Sequence, residues 1–261
     1  MSQEQLDAFL RQVAANPSLR QALHGSNAAS ASAMAQQQGF RVNSADFSLR
    51  AAENSFLQRH GPPGRPQPAQ AASLDLGCGA TPRNPFGAGR ARGLDIAASS
   101  DDGVEACDLF RQAIPFGDRE FDYVTAFDFL EHVPRVACTE ERTRFPFIEL
   151  MNEISRVLKE GGLFFSRTPA YPAKEAFQDP THVNIITDQT IPYYFCLNNG
   201  TGEGPWGRRY GFEGEFVFLA QERIGCWLMA LLARCPAADL ERALSSPLPM
   251  TGGAQPNPSP P

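Results

Sequence analysis

Two acidic residues lie at the ends of two short apolar segments, and a glycine-rich turn follows the first of them. Asp75 stands just before the turn Gly77-Cys78-Gly79, and Asp95 ends the second segment. Glycine has no Cβ, so the backbone of the turn can approach a ligand closely. A carboxylate at the end of the second strand suits the two vicinal hydroxyls of a ribose. The spacing therefore predicts a site for a nucleoside-containing ligand, and Asp75 can accept a hydrogen bond from a cationic amino group.

The glycine spacing of this turn distinguishes between classes of nucleotide ligand. Nicotinamide-binding turns favour G-x-G-x-x-G, in which the third glycine lets a helix pack beneath a pyrophosphate. In this sequence that position is Pro82, and Pro85 follows it. The sequence therefore shows no pyrophosphate cradle and favours an adenosyl ligand. The short glycine motif alone is equally compatible with a plain tight turn, so the residues that follow it decide between the two interpretations.

Three further motifs follow in order along the chain. They are Ala106–Leu109 (ACDL), Phe127–Val133 (FDFLEHV) and Arg156–Gly162 (RVLKEGG). Together with the glycine turn and Asp95, they resemble the motifs of class I S-adenosylmethionine-dependent methyltransferases. The resemblance covers residues 72–234 and implies S-adenosylmethionine as the cofactor.

The resemblance implies eight cofactor-binding residues, which are Asp75, Gly77, Gly79, Asp95, Ile96, Asp108, Leu109 and Phe127. The first three would line the methionine end of the cofactor, and Asp95 would hold the ribose. Asp108 would meet the adenine amine while Leu109 packs on the adenine ring. Phe127, at the end of the fourth strand, would flank the sulfonium.

A histidine after the fifth predicted strand is the candidate catalytic residue. His182 lies in the segment Phe177–Asn184 (FQDPTHVN), where this fold places a substrate loop. A related segment occurs in bacterial methyltransferases found near polysaccharide genes. His182 could remove a proton from a hydroxyl or amine, or it could simply hold the loop by hydrogen bonding. His132 is expected to order the turn after the fourth strand.

The elements that must position these residues alternate between strand and helix patterns. A helix is predicted from Pro146 to Leu158, because apolar residues recur at helical spacing and Gly161-Gly162 ends it. The predicted strands are Ser73–Leu76, Gly93–Ile96, Gly103–Ala106, Phe121–Ala126, Leu163–Arg167, Tyr210–Gln221 and Cys226–Arg234. This alternation predicts an α/β fold with a Rossmann-like, seven-stranded, mostly parallel sheet. The resemblance adds an antiparallel final strand, and the short spacings between the first three strands predict short connecting helices.

A small helical unit precedes the predicted sheet. It contains Gln5–Leu10 (QLDAFL), Asn16–Leu19 (NPSL) and Ala33–Phe40 (AMAQQQGF). These segments resemble the Nif-eleven-like leader-peptide family, whose members are docking handles for enzymes that modify bacterial peptides. The resemblance implies that residues 1–50 bind a protein or peptide partner. The other interpretation is a small helical adaptor without chemistry.

Composition divides the chain into four predicted parts. Residues 1–57 form the helical unit, residues 58–71 a proline-rich linker and residues 72–235 the methyltransferase-like domain. Residues 236–261 are low in complexity and are expected to be a disordered tail.

Overall composition limits the classes of partner. A net charge of -6 and a pI near 5.3 argue against a general nucleic-acid binder, which needs a basic surface. The longest apolar run, Cys226–Ala233, is too short to cross a bilayer. The six cysteines form no C-x-x-C pair and no histidine stands at ligand spacing, so no metal site is predicted. With no secretory signal at the N-terminus, the protein is expected to be cytoplasmic with reduced thiols.

The sequence leaves three functional hypotheses. The first is methyl transfer to an oxygen or nitrogen atom of a small molecule or glycan. The second is a peptide-modifying enzyme, or a partner of one, recruited through the N-terminal unit. The third is a cofactor-sensing or assembly protein that keeps the fold without turnover.

Overall fold

The computed structural model describes residues 2–61, 68–97, 103–140 and 142–245. Its centre is a sheet of seven strands, in the order β3-β2-β1-β4-β5-β7-β6. The strands are β1 Ala72–Leu76, β2 Arg90–Asp95, β3 Val104–Ala106, β4 Phe121–Phe127, β5 Leu158–Pro169, β6 Phe216–Ile224 and β7 Trp227–Arg234. The first five strands pair in parallel, and β7 is antiparallel to both of its neighbours. The predicted sheet with an antiparallel final strand is therefore confirmed.

Eight α-helices are present in the described residues. They are α1 Ser2–Ala15, α2 Pro17–Leu23, α3 Ala28–Gln37, α4 Ser44–His60, α5 Pro146–Val157, α6 Glu175–Gln178, α7 Thr190–Phe195 and α8 Leu240–Ser245. The connection between β1 and β2 contains no helix, as its two prolines suggest. The connection from β2 to β3 includes residues 98–102, which lie outside the described part of the chain.

The sheet separates two apolar cores, because alternate side chains of a strand point to opposite faces. On one face, Val124 and Phe164 pack in the same cluster as the buried side of α5. On the other face, Phe165 packs with Phe56 and Leu57 of α4. The rings of Phe56 and Phe165 have their centroids 5.8 Å apart. Helix α4 thus completes the second core.

The N-terminal helices surround a small core of their own. Leu6, Phe9 and Ala35 are fully buried there. Asn43 caps α4 with its side chain on the backbone N–H of Asp46, whose carboxylate caps Asn43 in return. Because α4 then continues to His60, one helix joins this core to the sheet. Residue 57, where the helical unit was predicted to end, lies inside this helix.

Two predicted segments differ from the structure. The strand expected from Tyr210 begins only at Phe216. Instead, Trp206–Tyr210 form a 3-10 turn. It ends at Gly211, whose left-handed φ of 89° is incompatible with a strand at this position. The tail expected to be disordered from residue 236 contains α8, whose Ala243 is buried against Leu197 and Cys235. Residues 246–261 lie outside the described part of the chain. Across the described residues, every helix is too short or too polar to cross a membrane.

Candidate active site

A cleft of about 230 Å³ opens at the carboxyl ends of the parallel strands. Five of the predicted residues line it together, which are Gly77, Asp95, Ile96, Asp108 and Leu109. The remaining wall comes from Cys107, Phe110, Asp128, Phe129 and His132. Strand order changes direction between β1 and β4, and open α/β sheets bind ligands at such a switch point.

The glycine turn is shaped by a close approach of two chain segments. Gly77 has φ of +64°, and its N–H donates to the carbonyl of Leu94 at 2.8 Å. A Cβ on Gly77 would lie 2.3 Å from the ring of Phe129, far below a normal contact. Gly77 is therefore required both by its backbone conformation and by the wall opposite.

The acid at the end of β2 is oriented by the glycine turn. Asp95 accepts a hydrogen bond on Oδ2 from the N–H of Gly79, at 2.8 Å. Ile96, beside it, is 76% exposed, an unusual degree for a large apolar side chain. Asp108, after β3, accepts from the N–H of Phe110 at 3.1 Å. Both carboxylates thus accept hydrogen bonds from backbone groups and line one cleft.

Asp75 lies beneath the cleft, where it is 1% exposed. Its Oδ1 accepts from the hydroxyl of Thr125 at 2.6 Å, and its Oδ2 accepts from the N–H of Arg83 at 2.8 Å. Burial raises the pKa of Asp75 to about 7. Asp75 therefore does not line the opening as predicted, and holds the turn and β4 together from below.

Phe127 also occupies a different place from the predicted one. It is 8% exposed and belongs to the core on the α4 side of the sheet. The guanidinium of Arg83 covers its ring at 3.4 Å. The chain turns sharply at Asp128, which has φ of 49°, and this turn presents Asp128 and Phe129 to the cleft instead.

A buried network of charged side chains connects α4 to the turn at Asp128. Glu53 of α4 pairs with Arg167 of β5, and both are 1% exposed. Its second oxygen accepts from Arg83 at 2.5 Å. Arg167 also pairs with Asp128, which accepts from the indole N–H of Trp227 at 3.0 Å. Burial opposes ionisation, but Arg83 and Arg167 together hold the pKa of Glu53 below its ordinary value.

Two histidines meet at one edge of the cleft. The rings of His132 and His182 are edge to face, with centroids 4.8 Å apart. Burial and the neighbouring His182 lower the pKa of His132. Glu131, under them, is 1% exposed, and burial together with Asp128 raises its pKa to about 8. The predicted catalytic residue thus lies beside a residue that lines the cleft.

A second cavity of about 530 Å³ lies near this edge. The segment after His182 reaches it, since Ile185 and Thr187 line its wall. Aromatic side chains form much of the lining, namely Phe145, Phe147, Tyr171, Tyr194, Phe195 and Tyr210. Its one charged lining residue, Arg135, is bound to Asn184 at 2.6 Å. The cavity is therefore largely apolar and aromatic.

Some residues of the cleft wall were not predicted from the sequence, and they differ in how visible they were. Phe110 directly follows Asp108-Leu109, so its aromatic side chain beside a predicted adenine contact was a usable signal. Asp128 and Phe129 depend on a left-handed turn at a residue that is not glycine, which sequence patterns do not show.

Comparison with known families gives two matches. Residues 25–201 match a family described as a methyltransferase domain. Residues 1–47 match a family described as the Nif11 domain. A search of curated proteins found no match.

Several solved structures are similar to this chain at low identity. One is a SAM-dependent methyltransferase from Archaeoglobus fulgidus, with 17% identity over 71% of this chain and 94% of that one, at a TM-score of 0.42. Another, from Mesorhizobium loti, has 17% identity over 70% and 98% of the two chains, at 0.42. A third is phosphoethanolamine N-methyltransferase 2 from Haemonchus contortus in complex with S-adenosylmethionine, with 20% identity over 45% and 28%, at 0.31. Roles for individual residues therefore rest on the cleft itself.

Proposed function

Because this chain belongs to the methyltransferase-domain family, we propose that it transfers a methyl group from S-adenosylmethionine to an oxygen or nitrogen atom of a small molecule or glycan. The observation that carries the proposal is the cleft at the strand switch point. Asp95 and Asp108 line a space that also has Leu109 and the exposed side chain of Ile96 in its wall, whereas the third carboxylate, Asp128, is paired with Arg167. These hydrogen-bond acceptors and apolar side chains suit a cationic ligand with hydroxyls, an amine and an apolar ring.

We infer the roles of the cleft residues from the methyltransferase resemblance, and their positions in the cleft support them. Asp95 is held by the N–H of Gly79 and would bind the ribose hydroxyls. Asp108 would bind the adenine amine, with Leu109 and Ile96 against the ring system. The negative cleft favours the sulfonium by simple electrostatics.

Methyl transfer of this kind needs mainly proximity and alignment. S-adenosylmethionine supplies a methyl group activated by a positively charged sulfur. The acceptor atom attacks the methyl carbon as the carbon–sulfur bond breaks, and the electron pair of that bond stays on sulfur. The proton that the acceptor loses passes to a base, for which His182 is the proposed residue. We propose that His182 lies near this atom. Its ring contacts His132 in the cleft wall, and the residues that follow it, Ile185 and Thr187, line the second cavity.

The second cavity supports an uncharged acceptor. Its walls are aromatic and apolar, and the guanidinium of Arg135 is already bound within the protein by Asn184 and the carbonyl of Ile185. Aromatic rings pack on apolar rings and on the apolar faces of sugars alike. The cavity is therefore assigned to the acceptor in this proposal.

Calorimetry with S-adenosylhomocysteine tests the cofactor site. The wild-type chain should bind one equivalent, and Asp95→Ala should weaken binding at least tenfold. Asp95→Asn keeps an oxygen for the Gly79 N–H and should also weaken binding, which separates ligand contact from support of the turn. Asp118→Ala, at a position 74% exposed, is the control. Absence of binding by the wild type, or equal binding by all variants, would contradict the proposal.

The Nif11 match favours a second candidate, methylation of a peptide brought by the N-terminal unit. The test compares the rate of methyl transfer to leader-bearing peptides by the full chain with the rate by a chain lacking residues 1–42. Equal rates on such peptides would remove this candidate.

A further inference from the structure

Glu131, His132 and His182 form a cluster of potential metal ligands beside the cofactor cleft. One carboxylate oxygen and one ring nitrogen from each histidine all lie within 4.8 Å of one another. Glu131 and His132 belong to the turn after β4, and His182 belongs to the loop after β5. Two segments far apart in sequence therefore bring three ligand groups together.

Two buried atoms of this cluster have no hydrogen-bond partner among the described residues. Glu131 is 1% exposed, and its Oε2 accepts from the hydroxyl of Thr168 at 2.7 Å. Its Oε1 is buried without a partner, and so is Nδ1 of His182. A buried polar atom left unpaired is costly, so native proteins rarely keep two side by side. Their position in one cluster points to a ligand that both atoms bind.

The third ligand group is oriented by its surroundings. The hydroxyl of Thr181 donates to Asp179 at 2.6 Å, so toward Nδ1 of His132, 3.0 Å away, it can only accept. The carbonyl of Thr181 lies 3.2 Å from the same nitrogen and also accepts. Nδ1 of His132 therefore carries the proton, and Nε2 keeps its lone pair. Metal-binding histidines are held in this manner, with one ring N–H donated to a carbonyl or carboxylate.

We propose that Glu131, His132 and His182 bind one divalent transition-metal ion, with zinc as the best match. Two imidazoles and one carboxylate are a ligand set that zinc uses in sites with an open fourth position. Zinc–ligand distances of about 2.1 Å place neighbouring ligand atoms roughly 3.4 Å apart. The ligand pairs must therefore close by at most about 1.4 Å from the observed 4.8 Å, a movement that metal binding has to induce.

This site differs from the expectation drawn from the sequence, which predicted no metal. That expectation depended on local ligand spacing, and local spacing cannot detect ligands from two distant segments. A bound ion would also change the role of His182, which would hold the ion and leave proton removal from the acceptor to another group.

The position of the ion suggests its use. His132 lines the cofactor cleft, so an ion bound to it lies between the cleft and the segment that leads to the aromatic cavity. A metal ion makes a bound hydroxyl more acidic, which would prepare an oxygen acceptor for methylation. This use rests on the proposed methyl transfer, whereas metal binding itself does not.

The test measures metal binding and cofactor binding on the same preparation of the full chain, without an affinity tag. After treatment with a chelator, the protein is titrated with Co²⁺ followed by visible absorption, then competed with Zn²⁺, and bound metal is counted by atomic emission. The wild type should bind one ion per chain. His182→Asn and Glu131→Gln should each weaken binding at least tenfold, while His24→Asn, at an exposed histidine of the N-terminal unit, should bind as the wild type does.

Each outcome has a defined meaning. The proposal is overturned if the wild type binds substantially less than one ion, or if His182→Asn binds as tightly as the wild type. Loss of metal in His24→Asn would show adventitious surface binding and would overturn it too. His182→Asn changes a half-buried side chain, so its fold should survive and can be checked by S-adenosylhomocysteine binding. If that binding fails in the wild type while one ion binds, the methyltransferase proposal fails and the metal site stands.

Discussion

Asp75 is a buried carboxylic acid whose ionisation is opposed by the fold. Its carboxyl group is buried between β1 and β4, and burial raises its pKa from 3.8 to about 7. Between these values the folded chain binds more protons than the unfolded chain. The free energy of unfolding therefore falls as the pH rises through this window, and the contribution is constant above about pH 7.

Asp75→Asn should remove this pH dependence. The amide oxygen can still accept from the Arg83 N–H, and the amide NH₂ can donate to the Thr125 hydroxyl, so both contacts survive. Urea unfolding without cofactor, from pH 4.5 to 8, should show a steeper loss of stability in the wild type than in the variant. About three pH units correspond to a difference of at most roughly 4 kcal/mol. Asp118→Asn is the exposed control, and parallel curves for Asp75→Asn and wild type would contradict the assignment.

Among individual residues, the sequence predicted those whose roles depend on neighbouring residues in the chain, such as a turn or the end of a strand. Gly77 was predicted because the close approach of a ligand requires glycine, and the structure adds a close approach of the Phe129 ring. Asp95 was predicted from its place at the end of a strand. The contacts of Asp75 and Phe127 with Arg83 were not predictable, because Arg83 reaches them from a loop whose path no local pattern sets.

Helix α4 is the element that links the N-terminal unit to the sheet. Its Glu53 pairs with two buried cations, Arg83 and Arg167, and Arg167 in turn binds Asp128 in the cleft wall. A buried charge that loses its partner is strongly destabilising, whereas an exposed pair contributes little.

Glu53→Gln should therefore lower the free energy of unfolding by about 3 kcal/mol. Glu160→Gln is the matched control, because its pair with Arg119 spans 3.4 Å between side chains that are 40% and 61% exposed. That control should change stability by less than about 1 kcal/mol. Chemical unfolding of the two variants and the wild type measures both values. Equal, small effects would show that the buried network does not stabilise the fold.

The elements of the sheet were largely predictable, and α4 shows why the rest was not. Strands β1 and β4 are buried almost throughout, and β5 is buried from Leu163 onward, so each contains a short, mostly apolar segment that the sequence shows. Helix α4 instead mixes buried Phe56 and Leu57 with charged residues, including Glu53, whose partners lie far along the chain. Its pattern indicates a helix but does not indicate what the helix contacts.

At the scale of the whole molecule, the N-terminal unit matches the Nif11 domain family and is structurally joined to the sheet through α4. The Nif11 match ends at residue 47, inside α4. The part of α4 beyond that point supplies Glu53, Phe56 and Leu57 to the sheet side. The unit thus has two portions with different expected effects on removal.

Two truncations separate these portions. Removal of residues 1–42 leaves Asn43 to cap α4 and keeps Glu53 and Phe56 in place, although Arg50 loses its contact with Asp7. This variant should unfold cooperatively and should bind S-adenosylhomocysteine within about threefold of the full chain. Removal of residues 1–60 uncovers the core at Phe165 and leaves Arg167 without Glu53, so this variant should lose cooperative unfolding and cofactor binding together. Thermal melting with and without S-adenosylhomocysteine measures both properties. If both truncated chains unfold cooperatively at the same temperature and bind S-adenosylhomocysteine equally, α4 does not stabilise the sheet. The methyltransferase domain then folds without any part of the N-terminal unit.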